Sequence, residues 1–260
     1  MKGHKKPSLS KDNNSKIYNS TTNENFVPYK LKTSQKIYRG FKRVMDFFIA
    51  LIALIVLIPV FLVTSIAIVI DSKGHPFFSH KRIGKNKKTF SCMKFRSMTK
   101  NARHDIAGYQ YQEVNSYITK VGKFIRATSI DELPQLYNVL IGNMSLIGYR
   151  PSQPSEKELN DEREKYNMYQ IRPGITGWAQ VNGRDILASD PILKARYDAY
   201  YLEHFSLKLD IKILFLTIKK VIFHADVKEG VVKKNKPIEV EQQVETSVKE
   251  TEDENTMQPQ

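Results

Sequence analysis

The longest run of apolar positions, Phe47 to Ile70, covers 24 residues interrupted only by Thr64 and Ser65. That length suits a membrane segment, and few globular cores accept a helix apolar on every side for so long. Pro59 sits near the middle, where it removes a backbone hydrogen bond and bends the helix. Each half of about 12 residues reaches about 18 Å, short of a hydrocarbon core roughly 30 Å thick. Basic residues flank both ends: Lys36, Arg39, Lys42 and Arg43 before, and Lys73, Lys81, Arg82, Lys85, Lys87 and Lys88 after. The positive-inside bias therefore gives no orientation. Proline and charge together predict a re-entrant helix–break–helix over residues 36–72, with a mildly kinked straight span as the alternative.

Beyond it, the period changes. HPFFSHKRIGKNKKTFSCMKFRSM reads as two short strands joined by a Gly-Lys-Asn-Lys-Lys turn. Ile118 to Ser129 has a helical pattern. Ser129 and Glu132 have the spacing of a capping box, which would open a helix buried through Leu133, Leu136, Val139 and Leu140, with Pro134 tolerated in its first turn. Glu156 to Tyr169 reads as a charged, solvated helix. Asp190-Pro191 is a helix start, leading through Tyr197, Tyr200 and Tyr201 toward Phe205. A last helix, Leu207 to Phe223, sets Lys208, Lys212 and Lys219 against Ile211, Leu214, Phe215, Ile218 and Ile222. That pattern fits either a helix lying in a membrane interface or simple core packing. Residues 1–35 are rich in Lys, Asn, Ser and Thr and predict a disordered polar leader.

Charge sharpens this picture. The net charge is +14, yet Pro237 to Gln260 holds seven acids and one lysine, so the first 236 residues carry +20. A basic body predicts an anionic partner: nucleic acid, a phosphorylated substrate or lipid headgroups. An apolar content of 41% is enough for a real core. The single cysteine, Cys92, excludes an internal disulfide framework and fits a reducing compartment. It lies in an alternating segment and reads as structural rather than as a catalytic thiol.

Candidate chemistry gathers between Ser129 and Pro151. Asp131 and Glu132 fall at an expected helix start, where phosphate is favoured, and where two acids also merely complement the macrodipole. The residue pattern alone leaves both readings open. Arg126 is placed five residues earlier to clamp a diphosphate or pair with a carboxylate. Lys94 and Arg96, within the second strand's apolar pattern, suit phosphate through charge-assisted contacts or else form a solvated surface. Gly142, Gly148, Arg150 and Pro151 make a loop whose backbone can approach a ligand. Ile171 to Arg184 crowds three glycines, a proline, the only tryptophan and two arginines into 14 residues, as a recognition loop would; Trp178 itself reads as a packing anchor.

These blocks resemble the bacterial sugar transferases, the monotopic polyprenol phosphate glycosyl-1-phosphate transferases that start capsule, O-antigen and glycoprotein glycan assembly. The resemblance runs from about Arg39 to His224 and rests on KRVMD with the proline-broken helix, MKFRSM, GKFIRATSIDELPQLYNVLIGNMSLIGYRP, RPGITGWAQVNGR and YYLEHFSLKLDIKILFLT. One departure is Ile58 before the break proline, where relatives often carry serine.

The resemblance implies transfer of sugar-1-phosphate from a UDP-sugar to undecaprenyl phosphate at the cytoplasmic face of the inner membrane, releasing UMP. It implies Asp131 as nucleophile, Glu132 as its helper, and both as ligands of Mg²⁺. Arg126 and Arg150 become phosphate clamps, joined by Lys94 and Arg96, and Arg172, Gly174, Thr176, Gln180 and Arg184 face the nucleotide or sugar. The expected fold is α+β and mainly helical: a leader (1–35), a re-entrant anchor (36–72), a cytosolic catalytic domain with a small β-hairpin and interfacial amphipathic helices (73–225), and an acidic tail (226–260). The implied partners are UDP-sugar, undecaprenyl phosphate and the bilayer, with no nucleic acid; a homodimer is compatible. The rival reading is a membrane-tethered basic binding or scaffold protein without catalysis.

Overall fold

The structure, a computed structural model, describes residues 28–99, 117–183 and 190–223. The chain divides into two units, Met1–Val227 and Lys228–Gln260, and every described residue belongs to the first. Residues 1–27, the acidic tail and Arg184 lie outside the described residues.

Helix α1 (Thr33–Val56) and helix α2 (Ile58–Asp71) meet at Leu57 with a bend of 60°. Pro59 is within the first turn of α2 rather than in the middle of one helix. There its missing N–H has no intrahelical partner to lose, so it starts α2 without strain. Among the described residues no single helix is long and apolar enough to cross a membrane; α1 and α2 meet that test only as a bent pair. Many apolar side chains of both, including Phe48, Ile52, Ile55, Leu62, Ile66 and Ile70, stand exposed.

The first half of α1 is bound to the rest of the fold through polar groups. Lys42 Nζ lies 2.7 Å from Asp210 Oδ2 and 3.6 Å from Asp46 Oδ1. The hydroxyls of Tyr38 and Tyr201 each donate to Asp210 at 2.7 Å, and Ser145 Oγ donates to Asp46 at 2.7 Å. The leader is correspondingly shorter than expected. Leu31 is buried in the main core, and Gln35 donates to Glu203 O at 3.0 Å, so both belong to the folded unit.

Strands β1 (Phe77–Ile83) and β2 (Thr89–Phe95) pair antiparallel, with Phe78 opposite Lys94, His80 opposite Cys92 and Arg82 opposite Phe90. Opposed residues share a face. Arg82 and Lys94 therefore lie on the side of the buried Phe90 and Cys92, while Lys81 lies on the other side.

Helix α3 (Lys120–Ala127) is capped by Thr119 Oγ1, which accepts from Gly122 N at 2.9 Å. Helix α4 (Gln135–Leu140) packs on β2 and α1. Asn138 ties α4 to the strand, accepting from Met93 N and donating to Ser91 O, each at 2.9 Å.

Two three-residue strands, β3 (Ser145–Ile147) and β4 (Gly174–Thr176), pair in parallel inside segments that the sequence presents as loops. The glycines there serve backbone approach: a Cβ on Gly174 would fall 2.1 Å from Gly148 N, and one on Gly177 1.8 Å from Gly148 O. Helix α5 (Lys157–Lys165) is shorter than its charge pattern suggests and not wholly solvated. Its Arg163 is fully buried, donating to Asp198 at 3.0 and 2.6 Å. Helices α6 (Trp178–Gly183), α7 (Pro191–Glu203) and α8 (Leu207–Phe223) complete the unit. Asp190 caps α7 by accepting from Leu193 N at 2.8 Å, and Trp178 is a buried packing residue stacked on Tyr200.

Candidate active site

Asp131 and Glu132 occupy a single 3-10 turn, Ile130–Glu132, that precedes α4. The expected capping box does not form. Ser129 adopts a left-handed conformation, φ 58° and ψ 15°, and its side chain caps nothing. Glu132 instead turns to two cations. Its Oε1 accepts from Lys94 Nζ and from Arg150 Nη2, each at 2.8 Å. A buried carboxylate gains more from two charged donors than from one orphaned N–H, so tertiary charge overrides the local motif. A non-glycine residue with positive φ beside a dyad is the kind of backbone strain that collects at functional sites.

The two carboxylates differ. Asp131 Oδ2 lies 3.8 Å from Lys94 Nζ, beyond hydrogen-bond range, and its carboxylate has no hydrogen bond among the described residues. Burial pushes its pKa up, against the downward pull of Lys94, Arg150 and Arg126. Burial acts on Glu132 in the same direction, but Arg150 and Lys94 overcome it and hold Glu132 well below the usual range. Glu132 in turn raises Arg150. The result is one carboxylate fixed as an anion by two cations and, next to it, one poorly solvated carboxylate without a hydrogen bond among the described residues.

The expected residues separate into three groups. Lys94 and Arg150 meet the dyad directly, and Arg126 acts on Asp131 through its charge. Arg96 is turned away: its guanidinium donates to the carbonyls of Ser72 and Lys73, at the end of α2. It follows the last residue of β2 and so leaves the face that carries Lys94. The recognition-loop residues are engaged elsewhere. Arg172 Nε donates to Gly142 O at 2.7 Å, Gly174 and Thr176 form β4, and Thr176 Oγ1 meets Thr217 Oγ1 at 2.8 Å. Gln180 Nε2 donates to Ile175 O at 2.9 Å, while its Oε1 is buried without a partner among the described residues. Pro59 stands at the bend between α1 and α2.

Arg82 belongs to the cationic strand pair that the sequence presents, though outside the expected site, and Lys194 escapes the sequence reading. Arg82, on the same strand face as Lys94, reaches Pro151 O at 3.3 Å and Glu156 Oε2 at 3.4 Å. Burial and Arg150 depress its pKa. Lys194, on α7, is pushed down to about 8 by burial, then by Arg163 and Arg150 against the opposing Glu156 and Asp198. Strand alternation would have put Arg82 with Lys94; nothing local marks Lys194.

Among the described residues no group of three or more His, Cys, Asp or Glu is arranged to hold a metal ion. The dyad offers two carboxylates. That suits Mg²⁺, which commonly takes one or two carboxylates and completes its shell from substrate phosphates and water.

An acidic dyad in a cationic setting thus stands within the same folded unit as a bent apolar helix pair. Residues 37–224 match the bacterial sugar transferase family, and the chain belongs to it. It is similar to a UDP-N-acetylgalactosamine-undecaprenyl-phosphate N-acetylgalactosaminephosphotransferase of Aeromonas hydrophila, 42% identical over 189 residues, 72% of this chain and 44% of the relative. An undecaprenyl-phosphate glucose phosphotransferase of Komagataeibacter xylinus is 40% identical over 190 residues, 70% of this chain and 36% of that one. The exopolysaccharide production protein ExoY of Sinorhizobium fredii is 34% identical over 216 residues, 78% of this chain and 94% of the relative. The chain thus spans less than half the length of the first two.

Proposed function

We propose that this protein transfers sugar-1-phosphate from a UDP-sugar to undecaprenyl phosphate at the cytoplasmic face of the bacterial inner membrane. The observation that carries this reading is the asymmetry of the dyad: Glu132 is bound by Lys94 and Arg150, while Asp131 beside it has no hydrogen bond among the described residues. A desolvated carboxylate flanked by cations is a nucleophile for an electrophilic phosphorus.

In the first step an Asp131 oxygen attacks the sugar-side phosphorus of the donor. The bond from that phosphorus to the bridging oxygen breaks, and UMP leaves. In the second, an oxygen of undecaprenyl phosphate attacks the same phosphorus, and the Asp131 carboxylate is released. Each step conserves charge without a net proton transfer, so no general acid or base is required. Lys94 and Arg150 orient Glu132 and offset the charge that gathers as carboxylate meets diphosphate. Mg²⁺ held by Asp131 and Glu132 would supply further neutralisation of the phosphates.

Two attachments support the re-entrant reading of the anchor. The first half of α1 is tied to Asp210 and Ser145, and the end of α2 is held by Arg96, while Asp71 accepts from Val121 N at 2.9 Å. Both ends of the bent pair are thus bound to the same folded unit, as expected if the chain enters and leaves one face.

The test is to incubate purified protein with Mg²⁺, undecaprenyl phosphate and a panel of UDP-sugars. UMP release with one or more sugars is expected, and intact-protein mass spectrometry without acceptor should show a sugar-phosphate adduct at Asp131. No release with any sugar, or release unchanged by Asp131→Asn, rejects the reading.

A further inference from the structure

Arg39 and Arg43 stand one turn apart on α1, and Arg172 reaches them from the chain that leads into β4; all three border one narrow pocket, with the buried Lys42 and Asp46. Hydrogen bonds fix the three guanidinium groups. Arg43 Nη1 donates to Val139 O at 2.6 Å and its Nη2 to Leu140 O at 2.8 Å, while Arg172 Nε donates to Gly142 O at 2.7 Å. Arg43 Nη2 is also the atom nearest to a Cβ built on Gly142, at 3.1 Å, so Arg43 and Arg172 meet at one residue. Arg39 Nη1 donates to Gln170 O at 3.3 Å, and the turn Lys85–Lys87 packs on the turn Met168–Gln170, bringing Lys85 alongside. All four cations are half-buried, and burial, then Arg39 and Arg172, push the Lys85 pKa down.

None of the four forms an ion pair with a carboxylate among the described residues. Asp46 borders the same pocket, but it accepts from Ser145 and faces Lys42. The carbonyl end of α4 offsets part of the charge; a helix terminus, however, is equivalent to only about half an elementary charge. Four like charges held together and partly desolvated repel one another until an anion joins them.

The surroundings select the anion. The dyad turn precedes α4 and the arginines meet its other end, with about 9 Å of helix between them, so the cluster is separate from the site around Asp131. Apolar surface adjoins it. Arg43 Cζ lies 5.9 Å from the centre of the Phe47 ring, where the apolar run of α1 begins, and both Phe47 and Ile141, the residue between Leu140 and Gly142, are exposed. A lipid phosphate at the arginines would lay its acyl chains along Phe47 and Ile141. A soluble phosphate or nucleotide would leave those side chains uncovered.

We propose that Arg39, Arg43, Arg172 and Lys85 form a binding site for the phosphate of an anionic phospholipid, seated where α1 enters the apolar zone. The site rests on the membrane-anchor reading above and is independent of the transfer chemistry. Because the cations come from α1, the Lys85 turn and the chain before β4, an occupied site would hold the anchor against the rest of the folded unit.

The test uses the full chain in a neutral detergent, titrated with short-chain phosphatidylglycerol, with phosphatidylcholine of the same chain length, and with inorganic phosphate. The melting temperature should rise saturably with phosphatidylglycerol and with neither of the others. Arg39→Gln and Lys85→Gln should each weaken the apparent phosphatidylglycerol affinity about fivefold, the worth of one basic residue at an anionic surface. Lys157→Gln, which removes the same charge from an exposed position on α5, should not. The Lys85 side chain makes no hydrogen bond among the described residues, so Lys85→Gln keeps the fold intact for this measurement. Equal stabilisation by phosphatidylcholine or by inorganic phosphate, an equal loss in Lys157→Gln, unchanged affinity in Lys85→Gln, or a rise in donor KM with the lipid preference unaltered would each overturn the proposal. UMP release is followed in the same preparations. If release proceeds and the lipid preference is absent, only this site falls; if the preference holds and no UMP is released, the transfer reading falls and the site stands.

Discussion

Arg150 Nη2 lies 2.8 Å from Glu132 Oε1, and that pair gives two adjacent carboxylates different surroundings. On the proposed transfer, with Glu132 committed to Arg150 and Lys94, Asp131 is the carboxylate left to form the bond. Asp131→Asn should therefore reduce UMP release about a thousandfold or more, as loss of a covalent nucleophile does. Glu132→Gln should retain the nucleophile but disturb its setting, reducing the rate by about 10–100-fold, typical of a supporting group. Rates that fall equally in the two variants would reject the division of labour.

The same asymmetry predicts opposite effects on stability. Burial raises the Asp131 pKa, so its ionised form disfavours the fold; any stability it contributes is present below its ordinary value of 3.8 and lost as pH rises through the raised value. Glu132 is held well below its ordinary 4.5, so its contribution is present above that value and lost as pH falls through the lowered one. At pH 7, Asp131→Asn should hold or raise the melting temperature. Glu132→Ala should lower stability by about 3 kcal/mol by stranding Arg150 and Lys94. Melting curves from pH 3 to 7 check the sign: Glu132→Gln should flatten the loss of stability below about pH 4.5.

Local signals were legible in the sequence and tertiary ones were not. The Asp190 cap and the bounds of α8 follow from residues within one or two turns. The hairpin follows from alternation across a short turn. Strands β3 and β4 have three residues each and exist because Gly148 and Gly174 allow two distant backbones to touch, which no window of sequence displays. Ser129 and Glu132 matched a capping box in spacing, yet the partners of Glu132 come from residues 94 and 150. Arg96 shared a pattern with Lys94 until the strand ended. Asp46 and Lys42 read as the polar edge of an apolar run, although their partners lie on β3 and α8.

That last network ties α1 to β3 and α8, and it is sensitive to removal of the ammonium that bridges it. Lys42 is the ammonium between Asp46 and Asp210, all three buried. Lys42→Ala removes the ammonium that pairs with two buried carboxylates and should cost about 3–5 kcal/mol. A second change, Asp210→Asn, should recover part of that loss, because one stranded charge is gone. Thermal unfolding of the single and double variants gives the coupling; additive losses would reject a shared network.

Helix α8 packs with one side in the core and leaves the other uncovered. Leu209 and Ile213 are buried in the core, while Leu207, Ile211, Leu214, Phe215 and Ile218 stay exposed, Phe215 at 68%. A stripe of this kind suits contact with the apolar zone of a membrane. Phe215→Glu should leave the melting temperature in detergent unchanged, since the side chain touches no core. Vesicle flotation of the protein and activity on lipid-embedded acceptor should both fall. Unchanged activity in liposomes would return α8 to a purely structural role.

The direction of the chain through the bilayer can be read from accessible positions at both ends of the bent pair. Lys36 and Lys73 are exposed, and the one native cysteine, Cys92, is buried, so single cysteines at 36 and 73 report cleanly. Their neighbours Gln35 and Ser72 are bonded to the same unit, through Glu203 O and Arg96. The apolar part of α1, Phe47–Val56, reaches about 15 Å and that of α2 about 20 Å, each short of a hydrocarbon core roughly 30 Å thick. A straight helix through both would set the ends on opposite faces and break one of the two attachments. In intact cells, an impermeant maleimide should therefore label neither position, and in inside-out vesicles it should label both. Labelling of residue 36 from outside, with residue 73 labelled only from inside, would establish a span and reject the re-entrant anchor.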